Sequence, residues 1–433
     1  LLALPIANHQ NEFTSLDISF FTAISAVTVT GHTVVPTSTY WSGFGQGVIF
    51  LLMLVGGLGF MVVSTFLLLV IGQRSTLQER LMSSGFMRDT VGVEGMQGLR
   101  RIGRNVVLLV FVLYVLGTMG IFWQVRGLDG MGFGESLWKS TFLSVSAFNN
   151  AGFNILPELP TGSSLARFAT NPILLLMTTV LIVLGGLGWT VLLDIYRNRR
   201  FPRLGLDAKL VVVTSLALWG FGAVVLLIAE FSNPETLGSL GWADRVTGAV
   251  FGSASGRTAG FTTIDFADVR DITKLTYTGL MFIGGGAGSV AGGIKVVTFA
   301  VIVAAVVSSL RGRSHAEAFG REIHQSQLHR ALAVVVLGIG ISVLLVAVLT
   351  LTEKDVLIEK GISFVDLLFD TVSALGTTGA STGIVPDLTV GGKAIFMLAM
   401  FVGRLGPVTL ALTLVPREEA TVYRFVRERV KIG

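Results

Sequence analysis

The 433 residues would suffice for two or three soluble domains, but 52% are hydrophobic, 14% are charged and the mean hydropathy is +0.74, which places the chain among membrane proteins. With no cysteine, disulfides, thiolate metal sites and thiol nucleophiles are excluded together. The net charge of +5 matters through its distribution, which orients a membrane chain.

In chain order, Leu1–Ile6 reads as the end of a spanning helix whose earlier part precedes the chain. Ser25-Ala-Val-Thr-Val-Thr-Gly31 follows, then an apolar run over Val48–Ile71 that contains Gly56-Gly-Leu-Gly59. After six basic residues between 72 and 104, the same order returns: Val106–Gln124, then Ser146-Ala-Phe-Asn-Asn-Ala-Gly152, then Pro172–Leu193 with Gly185-Gly-Leu-Gly188. Five basic residues between 196 and 209 lead to Leu210–Ile228, Ala254-Ser-Gly-Arg-Thr-Ala-Gly260 and Gly285-Gly-Ala-Gly288. Four arginines between 311 and 330 lead to Ala331–Leu351, Ser373-Ala-Leu-Gly-Thr-Thr-Gly379 and Ala394–Leu414, which carries Gly403-Arg-Leu-Gly406. The tail from 417 adds five more basic residues.

The first glycines are 121, 108 and 119 residues apart, and the second echo follows each by 25, 33, 25 and 24 residues. Two echoes in register, four times over, mark an internal repeat. Each unit reads as an apolar helix, a segment shorter than the ~20 residues needed to span, a glycine turn and a second apolar helix. The basic segments hold 20 of the 32 lysines and arginines and follow every second helix, so the positive-inside rule makes them cytoplasmic and the short segments re-entrant from outside. The expected fold is an all-α polytopic membrane protein: four tandem helix, pore-loop, helix repeats (1–73, 74–195, 196–310 and 311–433) around a pseudo-fourfold pore, with eight spanning helices, the first truncated. Non-helical backbone at membrane depth requires protein or a water-filled cavity. Four glycine turns meeting on one axis can aim carbonyls at a dehydrated cation. With no acidic side chain beside the four glycines, that cation is monovalent.

Two exceptions break the symmetry. Ile283–Gly293 holds six glycines in eleven residues, and each costs about 1 kcal/mol in a helix, so a continuous helix is not expected unless close packing of small residues rewards it. Arg404 replaces an echo glycine inside an apolar run; a charge at membrane centre costs about 2.5–3.5 kcal/mol, so it faces protein or pore rather than lipid. An enzyme in the bilayer would need His, Asp or Glu at helical spacing there, whereas His9, His32, His315, His324 and His329 all lie outside the apolar runs, and no nucleotide-binding loop of the Walker type is present. A transporter that rocks around a midplane site would use inverted repeats, and these all share one orientation.

Thr28-Val-Thr-Gly31, Asn149-Asn-Ala-Gly-Phe153, Arg257-Thr-Ala-Gly-Phe261, Gly376-Thr-Thr-Gly379 and Gly403-Arg-Leu-Gly406 resemble the Trk/Ktr/HKT superfamily of potassium transporters, most closely the bacterial Ktr membrane subunit. The resemblance covers the whole chain. It implies potassium uptake across a bacterial cell membrane, no catalytic residues, and a filter of backbone carbonyls from Val29, Thr30 and Gly31; Asn150, Ala151 and Gly152; Thr258, Ala259 and Gly260; and Thr377, Thr378 and Gly379. It makes Gly284, Gly285, Gly286, Gly288, Ser289, Gly292, Gly293 and Lys295 an intramembrane gate beneath that filter, with Arg404 just below it. It also implies a membrane homodimer on a ring of nucleotide-binding (RCK-type) regulatory subunits that take ATP or ADP, a cytoplasmic C-terminus, and sodium as an activator in some systems. A Trk-type carrier of sodium and potassium is the alternative. Arg257, Asn149 and Asn150 are expected to brace their loops. His32 reads as a solvated or backbone-bonded side chain at the outer mouth or a pH sensor, and Glu158, Asp265 and Asp268 as vestibule or loop charges. Arg74–Arg104, Arg311–Arg330 and Arg417–Gly433 are basic docking segments for the partner or for lipid headgroups.

Overall fold

The computed structural model describes residues 1–73, 95–157 and 164–405 of the chain. The expected docking segments therefore fall partly (74–104) or wholly (417–433) outside the described residues, as do Glu158 and Gly406.

Three kinds of helix alternate. Long apolar helices are α2 (Gly43–Gln73), α3 (Gly95–Val125), α7 (Leu206–Glu230) and α11 (Gln325–Thr352). Short helices of 12 to 16 residues are α1 (Leu16–Val27), α4 (Phe133–Phe148), α8 (Trp242–Ser255) and α12 (Phe364–Leu375). Among the described residues there are also α5 (Pro172–Leu187), α6 (Trp189–Asn198), α9 (Asp271–Phe282), α10 (Val296–Leu310) and α13 (Val390–Leu405), two short helical turns at Thr37–Tyr40 and Lys354–Lys360, and one two-stranded hairpin, β1 (Glu317–Ala318) and β2 (Arg321–Glu322), after α10. Among the described residues, four helices are long and apolar enough to cross a membrane, and α5 with α6 forms a fifth candidate bent by 97°. Only 22–33% of the four apolar windows is buried, so their outer faces are made for lipid rather than water.

The core sits around the short helices. In α12 every residue from Phe369 to Leu375 is buried, and α4 is buried from Phe142 to Phe148. Lipid is as apolar as leucine, so close packing rather than water expulsion holds these layers. Two sets of contacts show how: Ser144 Oγ donates to Tyr114 O at 2.9 Å, and Ser253 Oγ donates to Trp219 O at 2.7 Å, each one turn from a glycine, Gly117 or Gly222, on the long helix. A side chain at either glycine would strike that serine.

Several helix starts are capped by chemistry the sequence carries. Ser363 and Asp366 make a capping box on α12, and Asn171 caps α5 ahead of Pro172. Glu230, fully buried at the end of α7, accepts from Arg270 N (3.0 Å), Asn233 Nδ2 (2.7 Å), Thr236 Oγ1 (2.8 Å) and Thr273 Oγ1, and so caps α9 with a charge. Glu353, at the end of α11, does the same for the segment entering α13, accepting from Thr389 N (2.9 Å) and Thr389 Oγ1 (2.6 Å). Glu230→Ala strands four donors in a buried site and is expected to cost about 3 kcal/mol, read as a lower unfolding temperature of the purified protein, whereas Glu235→Ala in the neighbouring exposed turn should leave it unchanged.

One expectation fails at the start. Leu1–Ile6 is not the end of an α-helix; a turn runs into a 3-10 segment at Pro5–Ala7. Pro5 has no N–H to donate, and the backbone instead serves α2, with Ser42 N donating to Ala7 O (2.9 Å) and Ser42 Oγ to Ile6 O (2.6 Å).

Candidate functional site

Each short helix runs straight into one of the four glycine strings, and all four strings adopt one backbone pattern. Val29, Asn150, Thr258 and Thr377 have φ of 57°, 55°, 67° and 50°, and two residues later Gly31, Gly152, Gly260 and Gly379 have φ of 91°, 70°, 74° and 83°. Alternating handedness turns successive carbonyls to the same side of the strand. Left-handed backbone is costly for side chains, above all for the β-branched Val29, Thr258 and Thr377, at about 1–3 kcal/mol each. The surroundings hold it in place: Thr30, Ala151, Ala259 and Thr378 donate their N–H groups to the last-turn carbonyls of Ser25, Ser146, Ser255 and Ser373 at 2.8, 2.8, 2.9 and 2.8 Å.

The four strings close into a ring. A side chain at Gly31 would overlap Ala151 O, one at Gly260 would overlap Thr378 O, and one at Gly379 would overlap Thr30 O, while a Cβ at Gly152 would sit 3.0 Å from Ala259 O. Loops one, two, three and four are thus neighbours in chain order, and four returns to one. All twelve expected filter residues lie in this ring, with the eight that are not glycine at most 1% exposed. The C-terminal, negative ends of four helices point at it, which favours a cation without any carboxylate in the ring.

The second echo also finds its reason. Side chains at Gly56, Gly185 and Gly403 would collide with Val27 O, Phe148 O and Leu375 O, the last carbonyls of α1, α4 and α12. Each following helix therefore seats a short helix end on bare backbone, and glycine is required there for close approach.

Repeat three departs as its glycine run suggests. Residues 283–295 between α9 and α10 are not helical. Gly284 N donates to Ile294 O (2.8 Å), Ile294 N to Phe282 O (3.2 Å) and Val296 N to Gly285 O (3.0 Å). Gly284, Gly285, Gly286, Gly288, Ser289, Gly292 and Gly293 are buried. Lys295 is half-buried and folds back to donate to Ala291 O at 2.6 Å.

Pro172–Leu193, expected as one spanning helix, is instead broken at Gly188 (φ 86°, ψ 144°) between α5 and α6. The glycine loop explains the break: Gly286 N donates to Gly186 O (2.8 Å) and Val290 N to Gly185 O (3.3 Å), carbonyls that a continuous helix would have used internally. Elbow and loop complete each other's backbone bonding, as non-helical backbone in a membrane demands.

Arg404 is 6% exposed and donates to Val290 O and, at 2.8 Å, to Gly56 O, with its guanidinium 4.4 Å from the Phe60 ring centre. It ties the glycine loop to α2 through carbonyls and an aromatic face. Lys295 Nζ stands 5.7 Å from the same ring. Arg257, expected to brace its own loop, reaches past it: Nη2 donates to Gly284 O at 2.7 Å and Cζ lies 5.2 Å from the Trp219 ring. Asn149 accepts from Tyr114 Oη at 2.9 Å, and the end of the Asn150 amide lies 3.2 Å from Ile182 O and 3.1 Å from Ala147 O, two acceptors that only the amide nitrogen can satisfy, so both brace loop two.

His32 is not a solvated side chain at the mouth. It is 1% exposed and edge-on to Phe396 of α13 at 5.8 Å. Asp268 is exposed, and half-buried Asp265 accepts from Ala267 N at 2.9 Å, closing its own turn. Sequence reasoning missed Asp370: fully buried in α12, it accepts from Thr382 N (2.9 Å) and Thr382 Oγ1 (2.6 Å), pinning the outer strand of loop four to its own short helix. The signal was a lone carboxylate inside Leu367-Leu-Phe-Asp-Thr-Val372.

Four glycine-ended strings closed on one ring, with lipid-facing helices outside and an arginine bonded to the glycine loop, define a helical membrane protein built around a closed ring of backbone. The chain belongs to the TrkH family of cation transport proteins, whose family model matches residues 3–421. It is 37% identical over 423 residues to the Ktr system potassium uptake protein B of Bacillus subtilis, covering 98% of this chain and 90% of that one. It is 34% identical to the protein of the same name from Vibrio alginolyticus (100% and 91% covered) and 33% identical to the potassium/sodium uptake protein NtpJ of Enterococcus hirae (100% and 93%). In fold it is similar to the crystal structure of the potassium transporter TrkH from Vibrio parahaemolyticus, with a TM-score of 0.66 at 19% identity over 93% of this chain and 79% of that one. The family is one of transporters, and the chain is a multi-pass membrane protein.

Proposed function

We propose that this protein takes up potassium across a bacterial cell membrane through the four-loop ring, with residues 283–295 as its gate. The observation that carries this reading is the repeated left-handed residue and left-handed glycine in all four strings. A dehydrated monovalent ion gains carbonyl oxygens in place of its waters, and four helix ends add negative potential. The twelve expected filter residues supply those carbonyls. The full architecture is four repeats (1–73, 74–195, 196–310 and 311–433), with basic segments and C-terminus in the cytoplasm.

Below the ring, the guanidinium of Arg404 opposes a cation electrostatically and fastens Val290 of the loop. A homodimer on a cytoplasmic ring of nucleotide-binding subunits, binding ATP or ADP, moves α10 or α6. The loop then leaves the elbow at Gly185 and Gly186 and draws Val290 from Arg404. Sodium acts as an activator of this uptake. No covalent chemistry is assigned to the chain.

Purified protein in liposomes, with rubidium influx competed by potassium, sodium and caesium, tests the reading: potassium should compete best, and absence of rubidium influx would overturn it. The second reading, a carrier of both sodium and potassium, is favoured by the name of the Enterococcus hirae relative and predicts equal competition by sodium. Asp370→Ala frees Thr382 from two charge-assisted bonds, each worth about 1.5–3 kcal/mol. It should make sodium several-fold more effective as a competitor, while Asp366→Ala, at the start of the same helix, should lower stability without changing the competition order.

A further inference from the structure

We propose that a groove between α7, α10 and the β1–β2 hairpin is a binding site for one anionic glycerophospholipid of the cytoplasmic leaflet. The groove measures about 820 Å³, within the ~300–1,000 Å³ typical of small-ligand sites. Its walls are apolar: Leu210, Val213 and Ala217 from α7 face Ala300, Val303 and Val307 from α10. These rows cover two turns of each helix, roughly 10–12 Å along the axis, and so run with an acyl chain rather than across it. Val213, Ala217, Val303 and Val307 are exposed, so the groove opens sideways towards lipid.

One end is closed and basic. Arg311 and Arg313 follow the last turn of α10, and the hairpin folds back beneath them, fixed by Glu317 N donating to Ser308 Oγ at 2.9 Å. Glu317 pairs with Arg313, which leaves Arg311 with no carboxylate partner among the described residues, at the end where the apolar walls stop. An acyl slot ending in an unpaired guanidinium matches an anionic headgroup joined to a tail. Basic pockets between helices on the cytoplasmic side bind such headgroups.

A second copy of the chain is a poorer occupant. A twofold axis along the membrane normal would bring each basic end against its own copy at the same depth. The site also bears on the gate, because α10 starts where the glycine loop ends, and a lipid wedged between α7 and α10 holds that helix. The inference rests on the proposed orientation, with residues 311–330 inside, but lipid retention is read without any transport and fails or succeeds on its own.

The test is native mass spectrometry of the full-length protein, released from bilayers of equal phosphatidylglycerol and phosphatidylcholine. The wild type should retain phosphatidylglycerol about fivefold over phosphatidylcholine, the ratio expected from one arginine at the surface. Arg311→Gln, on an exposed position, should abolish the preference while keeping some lipid. Ala217→Phe, which fills the groove from an exposed position, should remove the retained lipid altogether. Size-exclusion profiles and unfolding temperatures identify any variant that has lost its fold, in which case Ala217→Leu replaces Ala217→Phe with the same expectation. Unchanged retention in the filled variant, or unchanged preference in Arg311→Gln, overturns the proposal. So does a filled variant that alters subunit association and not lipid, since a second copy would then be the occupant.

Discussion

Gly260→Ala is expected to abolish selective rubidium uptake. The residue sits at φ 74°, where an L side chain is strained, and the added methyl would overlap Thr378 O of the neighbouring loop. Strain of about 1–3 kcal/mol would have to be relieved by moving two of the four loops. Since 1.4 kcal/mol is about tenfold, uptake should fall at least about tenfold, with sodium competition rising in whatever flux remains. Gly279→Ala is the control: it places the same methyl in open space on α9, and uptake should stay as in the wild type. A Gly260→Ala protein that folds and transports normally would mean that the ring is not the path.

Arg404→Met is expected to raise cation flux by an order of magnitude or more. A unit charge opposes another by about 4 kcal/mol at 4 Å for an effective dielectric constant of 20, falling inversely with distance, so even partial loss of that barrier is a large rate effect. The same substitution releases Val290 O and Gly56 O, loosening the loop from α2. Arg404→Lys separates the two contributions. It keeps the charge but loses the planar fork that bridges two carbonyls. If the charge dominates, lysine should stay near wild-type flux; if the bridge dominates, lysine should leak nearly as much as methionine. Flux in liposomes unchanged by both substitutions would remove Arg404 from the pathway.

Some features were legible because they depend on local chemistry. Glycine recurs where a chain must turn left-handed or let backbone meet backbone; the first demand arises in all four strings and the second under three of the four short helices, so two echoes were visible without any coordinates. The run from Ile283 to Gly293 announced a broken helix for the same reason. What Arg257 and His32 do was not legible, because their positions beside a glycine string suggested local bracing or exposure. Instead, Arg257 bonds to the glycine loop at Gly284, and His32 is buried against Phe396. Asp370 was readable as an anomaly, yet its partner lies twelve residues on across a turn whose course the sequence does not specify.

By itself the sequence determined a membrane protein with short, glycine-ended helices between long ones, an interrupted helix in the third quarter and a buried arginine in the fourth. Hydropathy, charge distribution and the conformational range of glycine act residue by residue, so they need no fold to be read. Only the tertiary structure decided that the four strings close into one ring in chain order, and that the fifth candidate span bends by 97° at Gly188. The same holds for the glycine loop, which lies in that bend with Arg404 bridging it to α2. Those outcomes depend on which carbonyl meets which N–H across 90 residues or more, and the elbow exists because the loop supplies the donors that an unbroken helix would have supplied itself.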